Sequence, residues 1–330
     1  MDELTARLTT LLERHYGAHP AALHPIYEAE GAIYRVQRRD GPPWVLRLFP
    51  RSRPLERVQG DAVILVYVER HGVPAERLVT ARDGSGSTVL DGRGVLVTTA
   101  VEGRRPDRSP TTLRRLGEVV GRLHALPAVP AGDRWLGRRA GALPAQDLAA
   151  GHAYLARIAG RVPPERRAEY EMIRAALDAT DDCEALPAGL IHSDCHLDNA
   201  ICTPEGQPVL IDWAGGGQGP RVAAVGLLLY SSIVQAPGDT PESLIGPHPA
   251  QIRRAIEAVV DGYCRHHLLT PAELEHLPHA VRFRPAVIAA RELATGLERG
   301  QPPDPSGWWT RYAEADAVAH LARAAMERHL

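Results

Sequence analysis

Leu4, Leu8, Leu11 and Leu12 recur on one helical face, which predicts a helix over about residues 2–16 that closes at Gly17. The period then shortens. Residues 25–30, 32–38 and 44–49 read as strands, with Gly31 at the first turn and Asp40-Gly41 as the hairpin signal between the second and third. Pro54 opens a helix whose apolar positions Val58, Ala62, Leu65 and Val68 stop at His71-Gly72-Val73-Pro74. Further short strands are expected over 78–81, 89–91 and 94–99, with Gly84-Ser85-Gly86 at a hairpin tip and not in a phosphate loop.

From Thr111 onward the pattern is helical. Leu113, Leu116, Val120 and Leu123 form one apolar face that ends at His124-Ala125-Leu126-Pro127, and residues 128–146, rich in Pro, Gly and Arg, read as a loop or insertion. Helices are expected near 147–159, 164–179, 221–235, 249–268, 271–298 and 307–329. The expectation is an α+β protein of two lobes. Residues 1–99 form a small, β-rich, antiparallel lobe with one main helix, 100–105 a hinge, and 106–330 a larger, mostly helical lobe, with a cleft between the two.

Charge and composition narrow the function classes. A net charge of −2 supplies no field for nucleic acid or an anionic membrane. No run reaches the roughly eighteen apolar residues of a membrane span. The acidic start Met1-Asp2-Glu3-Leu4 is unlike a signal peptide. Cys183, Cys195, Cys202 and Cys264 lack CxxC spacing and read as free thiols of a cytoplasmic protein. All 38 basic residues are arginine. The absence of lysine excludes a Walker A lysine and a Schiff-base lysine, so any phosphate contact must use Arg, backbone N–H groups or a metal.

The chemistry concentrates in Leu190-Ile191-His192-Ser193-Asp194-Cys195-His196-Leu197-Asp198-Asn199-Ala200 and in Val209-Leu210-Ile211-Asp212-Trp213. Asp194, Asn199 and Asp212 each follow a short β-type run, which predicts three polar groups on loops at strand ends. Phosphoryl transfer to a hydroxyl needs a carboxylate beside the attacking oxygen and oxygen ligands for Mg²⁺. Asp194 suits the first role; Asn199 and Asp212 suit the second. His196 either touches substrate or packs the loop, and Cys195, with no partner base, is expected to pack.

His192-Ser193-Asp194-Cys195-His196-Leu197-Asp198-Asn199 resembles the HxDxxxxN catalytic loop of the aminoglycoside phosphotransferase family, and Ile211-Asp212-Trp213 resembles its metal-binding motif. Leu116-Gly117 through Leu126 resembles the helix after the interlobe linker, and Val101-Glu102-Gly103 the hinge. The resemblance covers about residues 25–235. It implies a protein-kinase-like fold, ATP or GTP as donor, Mg²⁺ as cofactor, and a small hydroxylated acceptor. Carried over, Asp194 is the catalytic base or hydroxyl-orienting group, Asn199 and Asp212 the magnesium ligands, and His192 a brace for the loop.

In the family a lysine on the third strand pairs with an acid on the following helix. Arg47 stands at that strand position and Asp61 is the best-placed acid. Glu30 to Tyr34, with Gly31 and Ala32, would cover the phosphates, and Thr98 to Val101, including Ala100, would meet the purine through backbone groups. One departure concerns an acid that relatives carry after the Gly-Pro turn: Ala224 or a neighbour holds its place, and the run Gly215-Gly216-Gly217 is expected to supply flexibility instead.

The acceptor is less legible. Polycationic aminoglycosides need an acidic pocket, yet residues 104–182 carry 14 arginines against 10 acids. A neutral or acidic acceptor, such as a sugar-bearing antibiotic or other natural product, is therefore expected. Trp308, Trp309 and Tyr312 are either acceptor-lining aromatics or a core cluster at a helix start. Two alternatives stay open: a metabolic kinase of choline, homoserine or sugar-amine type, and a non-catalytic nucleotide-binding module.

Overall fold

The computed structural model describes residues 3–129, 132–233, 249–301 and 308–330. They form two compact units. The first comprises Met1–Arg104, Pro130–Arg138 and Ala200–Gly216, and the second Arg105–Val129, Arg139–Asn199 and Gly217–Leu330.

The first unit begins with helix α1 (Glu3–Leu11), which runs into a π-helical turn, Leu12–Tyr16, and stops at Gly17 with φ 64°. That left-handed conformation is readily open to glycine. Strands β1 (Pro20–Glu28), β2 (Ala32–Arg38) and β3 (Trp44–Leu48) are followed by helix α2 (Leu55–Arg70) and by β4 (Thr88–Leu90) and β5 (Arg93–Thr99). They make one antiparallel sheet in the order β1-β2-β3-β5-β4. Strand alternation sends Ala32, Tyr34, Val36, Trp44, Leu46, Leu48, Val95 and Val97 into a core with Leu8, Leu11 and Leu12. The same alternation puts Arg47 on the opposite face, paired with Ile33 and Leu96.

Two expectations need correction here. The first strand starts at Pro20, not at 25, because an edge strand tolerates Pro20 and Pro25, whose missing N–H groups no partner requires. Residues 78–81 form no strand; Leu78 makes only an isolated bridge to Thr98.

In the second unit, α3 (Pro110–His124) is capped by Ser109 Oγ, which accepts from the Thr112 N–H at 3.2 Å. Helix α4 (Pro144–Ile158) begins inside the stretch read as a loop, with Pro144 in its first turn. A 3₁₀ turn, Pro164–Arg166, precedes α5 (Arg167–Asp178), and β6 (Ala188–Ile191) leads to another 3₁₀ turn, Leu197–Asn199. The hairpin β7 (Ala200–Cys202) with β8 (Pro208–Leu210) returns to the first unit.

Back in the second unit, β9 (Gly217–Pro220) pairs antiparallel with β6. The glycine run expected to be flexible is thus partly a strand. Beyond that run, Gly219 is a packing glycine: a Cβ there would lie 2.6 Å from Ile191 Cδ1 and 2.7 Å from Leu143 Cδ2. Helix α6 (Arg221–Ile233) is buried on nearly every face. Helices α7 (Pro249–Cys264), α8 (Pro271–Glu298) and α9 (Trp308–Glu327) complete the unit.

Helix α8 continues through Pro278 and Pro285, and a capping box between Thr270 and Glu273 secures its start. Its Phe283, Ala286, Ala290 and Leu293 share a core with Leu155 of α4 and Ile173 of α5. Among the described residues no helix is long and apolar enough to cross a membrane.

Candidate functional site

Each unit carries one cluster of the residues singled out above. In the first, Asp212 follows β8 and adopts φ 61°, a left-handed conformation that Asp tolerates better than most residues. Several contacts hold the turn, beginning with these. Glu76 Oε1 accepts from the N–H groups of Asp212 (2.8 Å) and Trp213 (3.3 Å), and the buried Trp213 indole donates to Leu210 O at 3.2 Å. Thr98 Oγ1 donates to the other oxygen of Glu76 at 2.9 Å. Burial pushes the Glu76 carboxyl up, and Asp212 adds to that, while Arg47, Thr98 and the Trp213 N–H pull it back.

Arg47 does not pair with Asp61. Its Nη2 lies 2.9 Å from Asp212 Oδ1. Asp61 is only 1% exposed, and so buried a carboxylate must collect several donors. It takes Arg53 Nη2 at 2.6 Å, Arg138, and the Gly215 N–H at 3.3 Å. Arg138 also donates to Arg57 O and Gly216 O, which ties its segment to α2 and to the turn after Asp212. Asp61 is therefore an anchor of the Asp212 turn and not the partner of the third-strand cation.

The other first-unit candidates sit along the sheet. Gly31 closes the β1–β2 turn, where its carbonyl accepts from the Ala29 N–H, and a Cβ there would be 3.1 Å from Leu48 O. Ala32 opens β2 opposite Leu48. The Thr98 side chain is committed to Glu76. The Ala100 N–H is spent on Pro43 O at 2.9 Å, so only its carbonyl remains for a purine edge; Val101 follows outside β5.

In the second unit, Asp194 lies on the loop after β6. Its carboxylate is about half exposed. Asn199 Nδ2 donates to Asp194 O at 2.9 Å and to its Oδ2 at 3.1 Å, which closes the loop on itself. His196 Nδ1 accepts from the Asp198 N–H (3.2 Å), leaving Nε2 to donate to Asp194 Oδ2 (3.2 Å). Arg284 Nη2 reaches Asp194 Oδ1 at 3.4 Å. Burial opposes ionisation of Asp194, but the His196 hydrogen bond and the Arg284 charge bring its carboxyl down to about 2. His192 is buried at the start of the loop. Cys195 is buried too, and its thiol is pushed up to about 12 by burial and then by Asp194.

Asn199 differs from expectation in one respect. It does not follow a strand but ends the 3₁₀ turn and precedes β7. Asn199 and Asp212, each within its own unit, nevertheless offer the kind of oxygen that suits magnesium. The described hydrogen bonds of the Asn199 side chain use Nδ2 and leave Oδ1 as an oxygen donor, and the Asp212 side chain is 36% exposed. Among the described residues there is no group of three or more His, Cys, Asp or Glu that could hold a metal. Mg²⁺ needs none, because it retains water and binds substrate phosphates.

Glu76, Arg53, Arg138 and Arg284 were not legible as site residues. No local motif surrounds them, and the partners that reveal them lie distant in sequence. Of the three aromatic candidates, Tyr312 packs against the core around α4, α5 and α8. The side chains of Trp308 and Trp309 lie outside the described residues.

The model of the Phosphotransferase enzyme family (APH) matches residues 27–243. No curated protein sequence matches the chain. Among solved structures, the chain is similar to the amicoumacin kinase hAmiN, in complex with AMP-PNP, Ca²⁺ and Ami, at 16% identity and a TM-score of 0.69, over 96% of this chain and 95% of that one. It is similar to spectinomycin phosphotransferase, in complex with ADP and spectinomycin, at 15% identity and a TM-score of 0.65, over 98% of each chain. A microcompartment-associated aminopropanol kinase is similar at 18% identity and a TM-score of 0.57, over 99% of this chain and 97% of that one. At these identities the structures speak to the fold, while the family match spans most of the chain. The chain is thus an enzyme of the phosphotransferase enzyme family, with that family's kinase-like α+β fold.

Proposed function

We propose that this enzyme transfers the terminal phosphoryl group of ATP or GTP to a hydroxyl of a small molecule, an antibiotic or other sugar-bearing natural product, and so inactivates it in the cytoplasm. Residues 1–99 receive the nucleotide, and residues 106–330 receive the acceptor. The observation that carries this reading is the loop after β6. It presents an ionised, half-exposed Asp194 carboxylate, braced by Asn199 and His196, while Asn199 Oδ1 stays available.

Asp194 accepts the hydrogen bond of the acceptor hydroxyl and aims its oxygen at the phosphorus. In a loose phosphoryl-transfer transition state, orientation and charge matter more than early proton removal. Asn199 Oδ1 and Asp212 would hold Mg²⁺, which supplies charge neutralisation on the phosphates. Arg47, on the face of β3 opposite the core and beside Asp212, offers its guanidinium fork to a phosphate. The Gly31-Ala32 turn would cover the phosphates, and the backbone at Ala100 and Val101 would meet the base.

A second reading keeps the chemistry and changes the acceptor. The fold similarity includes an aminopropanol kinase, which keeps a metabolic small-molecule kinase as the second reading. A nucleotide-consumption screen over hydroxylated antibiotics and metabolites, with mass spectrometry of the product, separates the two. With the acceptor found, Asp194→Ala is expected to lower turnover by ~10²-fold or more. Turnover within a few-fold of the parent would overturn the role of Asp194.

A further inference from the structure

Asp194 has an acidic neighbour that the phosphotransfer chemistry does not use. Asp147, on α4, lies on the far side of Arg284, a residue of α8. Arg284 Nη1 is 2.9 Å from Asp147 Oδ2, and its Nη2 is 3.4 Å from Asp194 Oδ1. The guanidinium therefore stands between two carboxylates. Arg284 and Asp147 are about one-fifth exposed and Asp194 about one-half, so a ligand can reach the group. Burial pushes the Asp147 carboxyl up; Arg284 pulls it back and Asp194 pushes it further, as expected of two acids on either side of one cation.

Two carboxylates beside a reacting hydroxyl would make a site for an ammonium group of the acceptor. Here the chain itself fills that place with a cation. An incoming ammonium meets a like charge at Arg284, or must displace it and leave a partly buried guanidinium without its partner; either is unfavourable. A neutral acceptor meets no such penalty. Its ether, carbonyl or hydroxyl oxygen can accept a guanidinium N–H while its reacting hydroxyl faces Asp194.

We propose that Arg284 is a specificity-determining residue: lodged between Asp147 and Asp194, it turns the acceptor side of Asp194 away from amine-bearing molecules and towards acceptors with a neutral oxygen next to the reacting hydroxyl. The inference rests on the reading of Asp194 as the group that meets the acceptor, and it names a substrate class for that site.

The test uses the full-length protein and two probes that differ by one group, glucosamine and glucose. Calorimetry measures the binding of both to the parent, Arg284→Gln and Arg284→Gln/Asp147→Asn. In Arg284→Gln the affinity ratio of amine to neutral probe is expected to rise by about tenfold or more, a step equal to one good charge contact. Adding Asp147→Asn should bring the ratio back towards the parent, and Arg284→Lys, which retains the charge, should leave it at the parental value. Arg284→Met replaces the Gln variant if the latter loses its circular dichroism or cooperative melting.

An unchanged ratio overturns the proposal, as does a lack of measurable glucosamine binding to the neutral variant or a rise that persists after Asp147→Asn. Nucleotide consumption by the parent is scored separately. Failure there strikes the phosphotransferase reading, while the binding ratio still judges Arg284.

Discussion

Asn199 and Cys195 show how one short loop assigns opposite tasks to neighbouring side chains. Asn199 spends its amide hydrogens within the loop and leaves its oxygen out of those bonds, which braces Asp194 and keeps an oxygen for the proposed cation. Cys195, next to Asp194, faces the interior. Its thiol, like that of Cys183, is pushed up to about 12, in each case by burial first and then by neighbouring aspartates. Reactivity follows the thiolate, and at pH 8 a thiol of that kind is almost wholly protonated. Iodoacetamide at pH 8 should therefore leave Cys183 and Cys195 unmodified in the native protein and label both in denaturant, as read by peptide mass spectrometry. Rapid native labelling of Cys195 would contradict its packing role.

At the scale of elements, the turn after β8 is held by groups from distant parts of the first unit. Glu76 takes the N–H groups of Asp212 and Trp213, and Asp61 with Arg138 fixes Gly215 and Gly216. The left-handed backbone at Asp212 persists because these partners over-determine it. Glu76→Ala removes the acceptor of two N–H groups and is expected to destabilise the fold by about 1–3 kcal/mol in chemical denaturation. The same variant should raise the Mg²⁺ concentration needed for half-maximal activity, since groups that orient a metal ligand are typically worth about 10–100-fold in metal affinity. Wild-type magnesium dependence in Glu76→Ala would mean that Trp213, Asp61 and Arg138 set the turn without Glu76. Some of this element-scale picture was open to sequence reading. Hydrophobic periods located the helices, including α8 despite Pro278 and Pro285, because its apolar positions run on past both prolines.

At the scale of the whole molecule, the two units draw on separate chain segments, and residues 200–216 belong with the first unit although they directly follow the Asp194 loop. A nucleotide that binds the native state and not the unfolded chain stabilises it by mass action. Magnesium and ATP together, at a hundred times the dissociation constant, should add about 2.7 kcal/mol and raise the melting temperature. Asp212→Asn should lose most of the magnesium-dependent part of that shift in differential scanning fluorimetry. Equal shifts in parent and variant would remove Asp212 from the metal site.

The sequence by itself determined the class of fold and the order of its chemical groups. Periodicity is local, so strands and helices could be read from windows of a few residues, and the motifs around Asp194, Asn199 and Asp212 hold their residues within short spans of chain. Tertiary structure alone decided the pairings. Arg47 meets Asp212 and not Asp61; Asp61 gathers Arg53 and Arg138; Glu76 caps a turn well over a hundred residues away; and Arg284 inserts between Asp147 and Asp194. Arginine is the only strongly basic residue type in this chain. Composition therefore could not show which guanidinium serves which carboxylate. A partly buried charge takes whatever partners the fold brings within about 3 Å, and that proximity is set by packing between segments remote in sequence.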